Sequence, residues 1–346
     1  MKKIIIAATI LLFSLSGIAQ QDPMLTQYMF NTLSYNPAYA GSRDGMSLNI
    51  LHRDQWLGFN DNKGKPLTQI FTMHAPVRSD RVGFGLTVSR DVIGVTNQTG
   101  LHTQYAYRIP TGKGHLALGL QGGVYNWRAD FSTDNGNLTL QSPNDPAFIA
   151  DNDNIRNLWL PNFGAGLYFS TESLYLGFSV PHILGSDLRR EGIDPDSDNL
   201  FARQYRHYYA MGGLVMKLSE NVHFKPSFLI KNVGLFKEFR EDPDNPDLER
   251  GITAPTEFDI DASLLFNQTL WLGISFRSAF EGFNDVSSYD SIDFWASLQF
   301  GNGLRIGAAY DFPLTEIRQV SSGSYEVMVG FDLNYDKDKI VTPRYF

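Results

Sequence analysis

Histidine is the residue type in this sequence best suited to chemistry, because an imidazole can bind a metal ion or transfer a proton near neutral pH. The spacing His-Glu-x-x-His is absent, and no other pair of histidines falls at a spacing typical of one metal site. We therefore expect the histidines to make structural hydrogen bonds. The seven are His52, His74, His102, His115, His182, His207 and His223.

Serine and glycine motifs give no stronger indication of catalysis. The Gly-x-Ser-x-Gly turn of many hydrolases is absent, and nothing places His223 as a base beside Ser275 or Ser297. The Gly-x-Gly pairs at 83–85 and 164–166 lie inside segments that alternate like strands, which is the wrong place for a phosphate-binding loop. The sequence therefore predicts neither an enzyme nor a bound cofactor.

One acidic run resembles the start of a calcium-binding loop. Asp194, Asp196 and Asp198 have the spacing of its first three ligands. Asn199 then replaces the turn glycine, and Tyr205 stands where the bidentate glutamate belongs. Three interpretations stay open: a solvated acidic loop, a calcium site, and a docking surface for a basic partner.

The composition limits the class of protein. The 346 residues include no cysteine, which excludes disulfides, thiolate zinc sites and iron–sulfur clusters. The formal net charge of −8 disfavours a nucleic acid partner, because phosphate binding needs a concentrated basic surface. Only 19% of the residues are charged, while 13% are aromatic and 31 are glycine, which is typical of a large β-protein with many turns.

Residues 1–19 have the three parts of a secretory signal peptide. Lys2 and Lys3 provide a positive start, residues 4–15 form an apolar core, and Gly17 and Ala19 are the small residues before a cleavage site after Ala19. The apolar run is shorter than the roughly 20 residues that a membrane-spanning helix needs, which disfavours an anchor. We expect an exported mature chain that has lost two lysines and carries a net charge of −10.

Beyond residue 46 the sequence alternates with a period of two, as a strand with one apolar face must. In residues 292–300, for example, Ile, Phe, Ala, Leu and Phe alternate with Asp, Trp, Ser and Gln. Most such segments are near the 9–11 residues that a tilted strand needs to cross a bilayer. We predict about fourteen strands, over 46–56, 66–76, 82–91, 99–109, 114–126, 160–170, 173–180, 206–218, 221–232, 256–267, 269–279, 290–300, 303–312 and 323–335.

The connections between these strands alternate between short and long, which is typical of an outer-membrane barrel with short periplasmic turns and long extracellular loops. A soluble β-sandwich or a propeller does not need this alternation, and no repeat of propeller length is present. We therefore predict an all-β fold, a transmembrane antiparallel β-barrel over residues 46–335 in contact with outer-membrane lipid, with a periplasmic tail over 336–346. The long loops are expected at 57–65, 92–98, 127–159, 181–205, 233–255, 280–289 and 313–322.

The predicted inward positions combine glycines with charged residues. Glycine lets the backbone bend or be approached closely. Opposite charges can pair across the lumen and fill it, or they can line a channel, and the pattern favours a mostly occluded interior without deciding the matter. The inward positions include Gly83, Gly85, Gly164, Gly166, Gly177, Gly307, Gly330, Lys225, Lys231, Asp259, Asp261, Asp293, Arg305, Asp311 and Asp332.

Residues 20–45, between the signal peptide and the first strand, lack the alternation of a barrel strand. They are rich in aromatic and amide side chains and are interrupted by Pro23 and Pro37. We predict a periplasmic segment that is either tucked into the periplasmic mouth of the barrel or bound to another protein. Its candidate partner-binding residues are Gln27, Tyr28, Asn36, Pro37 and Tyr39.

This segment, QDPMLTQYMFN over 21–31 and YNPAYAGS over 35–42, closely resembles the start of the PorP/SprF family, outer-membrane proteins of the type IX secretion system. The resemblance covers essentially the whole mature chain. Any one of its short motifs is weak, but the set in this order is fairly specific. The further motifs are HRDQWLGF at 52–59, DVIG at 91–94, YAY at 105–107, RHYY at 206–209, KPS at 225–227 and TPRYF at 342–346.

The resemblance implies a non-enzymatic barrel in the bacterial outer membrane. Family members assist the secretion or surface anchoring of exported proteins with a type IX carboxy-terminal sorting domain, often large adhesins. Some are tied to gliding motility, and others contact periplasmic components of the secretion machine. The alternative is transport, by a porin or a FadL-like channel for small solutes or hydrophobic molecules.

Three of the predicted loops concentrate the negative charge. Loops 127–159, 181–205 and 233–255 carry net charges of −3, −2 and −3, which together make −8 of the mature −10. Complementary charge steers association, so we expect these loops to attract a basic patch on an exported partner. The candidate partner-binding residues there are Asp194, Asp196, Asp198, Asp242, Asp244 and Asp247.

Overall fold

The computed structural model describes residues 22–59, 64–77, 81–130, 155–184, 206–233, 256–280 and 289–333. The segments with a period of two form β-strands there. They are β1 (Ser47–Asp54), β2 (Leu67–Val77), β3 (Val82–Ile93), β4 (Thr96–Thr111), β5 (Gly114–Asp130), β6 (Ile155–Ser170), β7 (Leu174–Val180), β8 (His207–Leu214), β9 (Met216–Ser219), β10 (Val222–Val233), β11 (Glu257–Phe266), β12 (Leu270–Ala279), β13 (Tyr289–Gln299), β14 (Leu304–Pro313) and β15 (Ser324–Asp332).

The strands close into one antiparallel barrel. β1 pairs with both β2 and β15, and the circle is completed between β10 and β11. β8 and β9 both pair with β10 and together occupy one strand position, so the barrel has fourteen strand positions. Closure pairs the strands on both sides and leaves no sheet edge, which a bilayer requires. The predicted fourteen-strand barrel is confirmed.

Two details differ from the predicted strands. The eighth strand, predicted over 206–218, is interrupted at Val215, and the register of β9 against β10 shifts further along, between Val222 and His223. The third connection, predicted as a long loop over 92–98, is a two-residue turn with Gly94 at φ +57°. Glycine adopts this left-handed conformation without strain, so the polar residues around the turn stay paired in the β3–β4 ladder.

The two faces of the barrel have the predicted character. On β15, Val327 and Val329 are exposed on the outside, whereas Glu326 is fully buried inside. The exposed fractions of Leu120 and Trp159, 63% and 70%, show how much apolar surface the outside presents. Hydrocarbon rather than water must cover such a belt. No helix in the described parts of the chain has the length and apolarity to cross a bilayer.

The connections give the barrel two distinct ends. The turn end carries six connections of at most four residues each, and β1 begins there. The loop end carries the longer connections and the β3–β4 turn. Most of the long loops lie outside the described residues, as do the predicted signal peptide at 1–19 and tail at 336–346. The six candidate aspartates of the acidic loops, Asp194, Asp196, Asp198, Asp242, Asp244 and Asp247, also fall outside them.

Candidate functional site

Residues 22–43, named here the plug, fill the lumen of the barrel. The plug contains a 3-10 turn (Tyr28–Phe30), a one-turn helix α1 (Thr32–Tyr35) and a second 3-10 turn (Pro37–Tyr39). Asn36 begins this last turn, since its side-chain oxygen accepts a hydrogen bond from the Ala38 N–H (3.0 Å) and Pro37 follows with its fixed φ. Almost every plug side chain is buried against the barrel wall.

The plug runs through the lumen from one end of the barrel to the other. At the turn end, Arg43 contacts Asp332 at the end of β15 (2.5 Å) and Ser47 at the start of β1 (3.1 Å). At the loop end, Asp22 lies against His182, just beyond β7, and His207, the first residue of β8. The amino-terminal side of the plug therefore faces the loop end.

A charged wall, formed by β1 and β11–β15, holds the first part of the plug. The Glu326 carboxylate is fully buried and accepts hydrogen bonds from the backbone N–H groups of Thr26 (3.0 Å) and Gln27 (2.8 Å). Arg53 lies between Glu326 (3.4 Å) and Asp311 (2.5 Å), and Asp311 also accepts the Thr26 hydroxyl (2.7 Å). The wall thus supplies acceptors for plug N–H groups that would otherwise be buried unpaired.

The charged wall extends through Arg277 of β12. Its guanidinium contacts Asp259 (2.8 Å), Asp293 (3.4 Å) and Asp311 (3.6 Å), all of them buried. Buried charges are tolerated only where they are paired and hydrogen-bonded. Three of the predicted inward charges, Asp259, Asp293 and Asp311, therefore pair with Arg277 in the wall that holds the plug.

The plug and the wall also share a hydrophobic core. Phe30 packs edge-on against Trp271 and Trp295, with ring centroids 6.4 and 5.7 Å apart. Tyr35 packs in the same way against Tyr209 at 5.2 Å. Edge-to-face aromatic pairs at these distances stabilise beyond the area that they bury. Aromatic side chains of the inward-facing set thus form an interior that only a segment such as the plug can cover.

A glycine wall, formed by β3 and β5–β7, lies close to the second part of the plug. A Cβ atom on Gly119 would overlap the backbone of Ala38, and one on Gly83 would overlap the backbone carbonyl of Ala40. Arg108 donates a hydrogen bond to that same carbonyl (2.8 Å). The close approach that these inward glycines allow is therefore an approach by the plug.

Amide and hydroxyl groups fix the register of the plug. The Asn36 amide donates to the Leu167 carbonyl on β6 (2.9 Å), and the Ser179 hydroxyl donates to the Tyr35 carbonyl (2.6 Å). On the opposite side, the Asn49 amide donates to the Asn31 side-chain oxygen (2.7 Å). These contacts involve strands on both sides of the lumen, so they select one position of the plug.

The structure brings the five candidate partner-binding residues of the amino-terminal segment together inside the lumen. The Tyr28 hydroxyl donates to Ser227 (3.0 Å), and Tyr39 packs against the rings of His74 and Tyr168. In this position they contact the barrel wall, and their binding to another protein stays a prediction. The five, all of them buried, are Gln27, Tyr28, Asn36, Pro37 and Tyr39.

Two aromatic residues in the sequence are a further signal of this plugged interior. Trp295 and Tyr175 fall in the polar, inward-facing phase of their strands, where a water-filled lumen would have no use for large aromatic rings. The Trp295 N–H and the Ser275 hydroxyl both donate to the buried Asp261 carboxylate (2.7 and 2.9 Å). Ser275 therefore serves this hydrogen-bond cluster.

Asp22 lies in a polar cluster at the loop end of the plug. Its carboxylate accepts hydrogen bonds from His182 Nε2 (2.9 Å) and the Tyr209 hydroxyl (3.2 Å), and Lys231 donates to its backbone carbonyl (2.7 Å). Burial raises the pKa of this carboxyl, but the charges of His182 and His207 and the hydrogen bond from His182 lower the pKa below its usual range. Asp22 is therefore an ionised acceptor.

Comparison with solved structures shows the same fold in other membrane barrels. The Ralstonia pickettii toluene transporter TbuX matches with a TM-score of 0.50 at 12% identity, over 89% of this chain and 94% of that one. A Pseudomonas aeruginosa FadL homologue gives a TM-score of 0.43 at 12% identity, over 92% and 95% of the two chains. At these identities the likeness concerns the fold alone. Among curated proteins, none matches this chain in sequence.

Fold and lumen together define an outer-membrane β-barrel that holds its own amino-terminal segment. The sequence model of the family "Type IX secretion system membrane protein PorP/SprF" matches residues 17–331, nearly the whole chain. The chain belongs to the PorP/SprF family. Family and fold together point to a non-enzymatic membrane protein of the type IX secretion system.

Proposed function

We propose that this protein is a non-enzymatic outer-membrane subunit that aids the secretion or surface anchoring of a large, adhesin-like exported protein with a type IX sorting domain. The family supports the connection to type IX secretion. The observation that carries the proposal is the filled lumen: Leu25, Gln27 and Asn36, at successive depths of the plug, are each 0% exposed. A barrel whose interior is occupied by its own chain has its ends and its outer wall left for partners.

The loop end is the surface that we assign to the exported partner. If the turns face the periplasm, as in other outer-membrane barrels, the long loops face outward. Three of these loops, 127–159, 181–205 and 233–255, together carry a net charge of −8, which gives that end a negative field that steers a partner with a basic patch. Components of the secretion machine in the periplasm would meet the turn end, where the plug joins β1.

Capture of the exported partner tests the proposal. The six candidate loop aspartates are replaced together by asparagine, and the barrel is purified from solubilised outer membranes by an affinity tag. We expect a type IX sorting-domain protein to follow the unaltered barrel and its yield to fall at least severalfold with the variant, more strongly at low salt than at high salt. The matched control neutralises two acids of the turn end, Glu172→Gln with Glu220→Gln, and should leave the yield unchanged.

Two results would contradict the proposal. Equal capture by the loop variant would remove the role of the acidic loops. A stable open conductance of the unaltered barrel in a planar bilayer, with no exported protein co-purifying, would favour the porin or FadL-like alternative. A silent barrel that retains a large exported protein supports anchoring.

A further inference from the structure

The first residue of the plug meets two histidines of the barrel wall. Asp22 Oδ2 lies 2.9 Å from His182 Nε2 and 3.8 Å from His207 Nε2, and the three donor atoms all lie within 4.8 Å of one another. Both histidines are buried, and the Asp22 side chain is 18% exposed. Two imidazoles and one carboxylate therefore converge on one point at the loop end of the lumen.

This donor set suits a divalent transition-metal ion. Imidazole and carboxylate are ligands of Zn²⁺ and similar ions, and sites with two histidines and one carboxylate leave further positions for water. Bonds of about 2.0–2.1 Å separate the ligands of a tetrahedral ion by roughly 3.3 Å. The two carboxylate–imidazole separations, 2.9 and 3.8 Å, each lie within about 0.5 Å of that spacing. The imidazole donor atoms lie within 4.8 Å of each other, so they need to approach by at most about 1.5 Å.

The surroundings of the three residues support such a site. The Tyr209 hydroxyl donates to Asp22, and the Tyr125 hydroxyl lies 3.4 Å from the His182 ring nitrogens. Outer hydrogen bonds of this kind orient metal ligands. A cavity of about 80 Å³, lined by Asp22, His182, Tyr125 and Tyr209, adjoins the cluster and has room for an ion with bound water.

Lys231 is the opposing feature. Its ammonium lies 2.7 Å from the Asp22 backbone carbonyl and would repel a cation. Glu257 lies 3.0 Å from that ammonium and offsets the charge. Lys231 contacts the backbone of Asp22 rather than the carboxylate, which leaves the three donor atoms facing one another.

We propose that Asp22, His182 and His207 bind one divalent transition-metal ion of the Zn²⁺ class. The ion fastens the outer end of the plug to the barrel wall. His182 and His207 flank the long connection between β7 and β8, so the same ion ties the base of that acidic loop to the plug. This inference concerns only the plug and the wall and is independent of the proposed function.

Metal binding by the purified barrel tests the site directly. The mature protein, without a polyhistidine tag, is stripped with a chelator in detergent and titrated with Zn²⁺ by calorimetry and with Co²⁺ by visible absorption. We expect one equivalent to bind, and His182→Phe, His207→Phe and Asp22→Asn each to weaken binding at least tenfold. The substitutions nearly keep the size of each side chain; the two histidine variants remove a ligating nitrogen, and Asp22→Asn removes the negative charge. His223→Phe, at the turn end, is the matched control and should bind as the unaltered chain does.

Exposure of the plug gives a second measurement. The chain has no cysteine, so Thr32→Cys places a single thiol on the plug at a position that is 3% exposed. Zn²⁺ at 100 times its Kd should slow maleimide labelling of this thiol about 100-fold, and His182→Phe should abolish the effect. The proposal is overturned if the unaltered barrel binds no Zn²⁺ at micromolar concentration, or if a variant that combines His182→Phe, His207→Phe and Asp22→Asn binds Zn²⁺ equally well. In that case the cluster is a hydrogen-bonded ion pair alone.

Discussion

The charged wall and the glycine wall hold the same plug in opposite ways. The charged wall reaches out to it with long side chains, such as Arg53 and Glu326, which bond to its backbone and to the Thr26 hydroxyl. The glycine wall makes room for the plug instead. Gly83 and Gly119 have no side chain, so the backbone of the plug can lie directly against the backbone of the strands. One wall recognises the plug by charge and hydrogen bonds, and the other by shape.

The difference teaches why the plug has one position in the lumen. Hydrogen bonds to a carboxylate are strong but can re-form after a small shift, because a long side chain follows its partner. A backbone-to-backbone contact at a glycine cannot adjust in this way. If the plug shifted along the wall, its backbone would collide with the side chain of a neighbouring inward-facing residue. The glycine wall therefore sets the position, and the charged wall supplies the bonds that stabilise it.

The largest effect is expected from filling the glycine wall. Gly119→Val would place a branched side chain where the Ala38 backbone lies, so the plug must move or leave the lumen. Because the added Cβ would overlap the Ala38 backbone nitrogen, we expect a cost at the upper end of the usual range for overpacking, about 3 kcal/mol. Labelling of the thiol introduced by Thr32→Cys should then rise by about two orders of magnitude. Gly122→Val on the same strand is the control, because its Cβ would make only ordinary contact, with Phe163 at 3.8 Å. Equal labelling of the two variants would show that close packing does not set the plug position.

A smaller loss is expected from the charged wall. Glu326→Gln keeps the shape of the side chain but removes the charge that faces Arg53 and the N–H groups of Thr26 and Gln27. Hydrogen bonds to a charged group contribute about 1.5–3 kcal/mol, so thiol labelling should rise roughly tenfold to a hundredfold. Glu220→Gln, which disrupts an exposed ion pair with Lys217, should leave labelling unchanged. A Glu326 variant that behaves like the Glu220 variant would contradict the role assigned to this wall.

The smallest effect is expected from a single neutral hydrogen bond. Tyr28→Phe removes the bond to Ser227 (3.0 Å) and leaves the ring in place. The loss is about 1 kcal/mol, or roughly fivefold in thiol labelling. Ser227→Ala should cost a similar amount, and the double variant should cost clearly less than the two losses added together. Full additivity would show that the two hydroxyls do not interact.

The fold could be predicted from the sequence because a barrel in a bilayer follows a simple rule. Every strand must turn apolar side chains to lipid and polar ones inward, so the pattern at 292–300 could be assigned to a strand and each residue to a face. The same rule does not fix where a strand is interrupted. One predicted strand is interrupted at Val215, and Gly94 closes a hairpin that had been predicted as a long loop.

The plug could be predicted from the sequence only in part. Its prolines and lack of alternation separated residues 20–45 from the strands, and the inward glycines indicated a close approach. Neither feature indicates that residues 20–45 are the segment that approaches these glycines. Ala38 and Gly119 lie far apart in the chain, and only the closed barrel brings them together.

By itself, the sequence determined a cysteine-free chain, an all-β barrel with about fourteen strands, the apolar and polar faces of those strands, and the family. Those properties depend on local periodicity and on short motifs, which are written in neighbouring residues. Tertiary structure alone decided that the amino-terminal segment runs through the lumen, and that Asp22 meets His182 across 160 positions of the chain. Closing a cylinder brings together residues whose separation in sequence follows no period, so no pattern along the chain could have indicated that meeting.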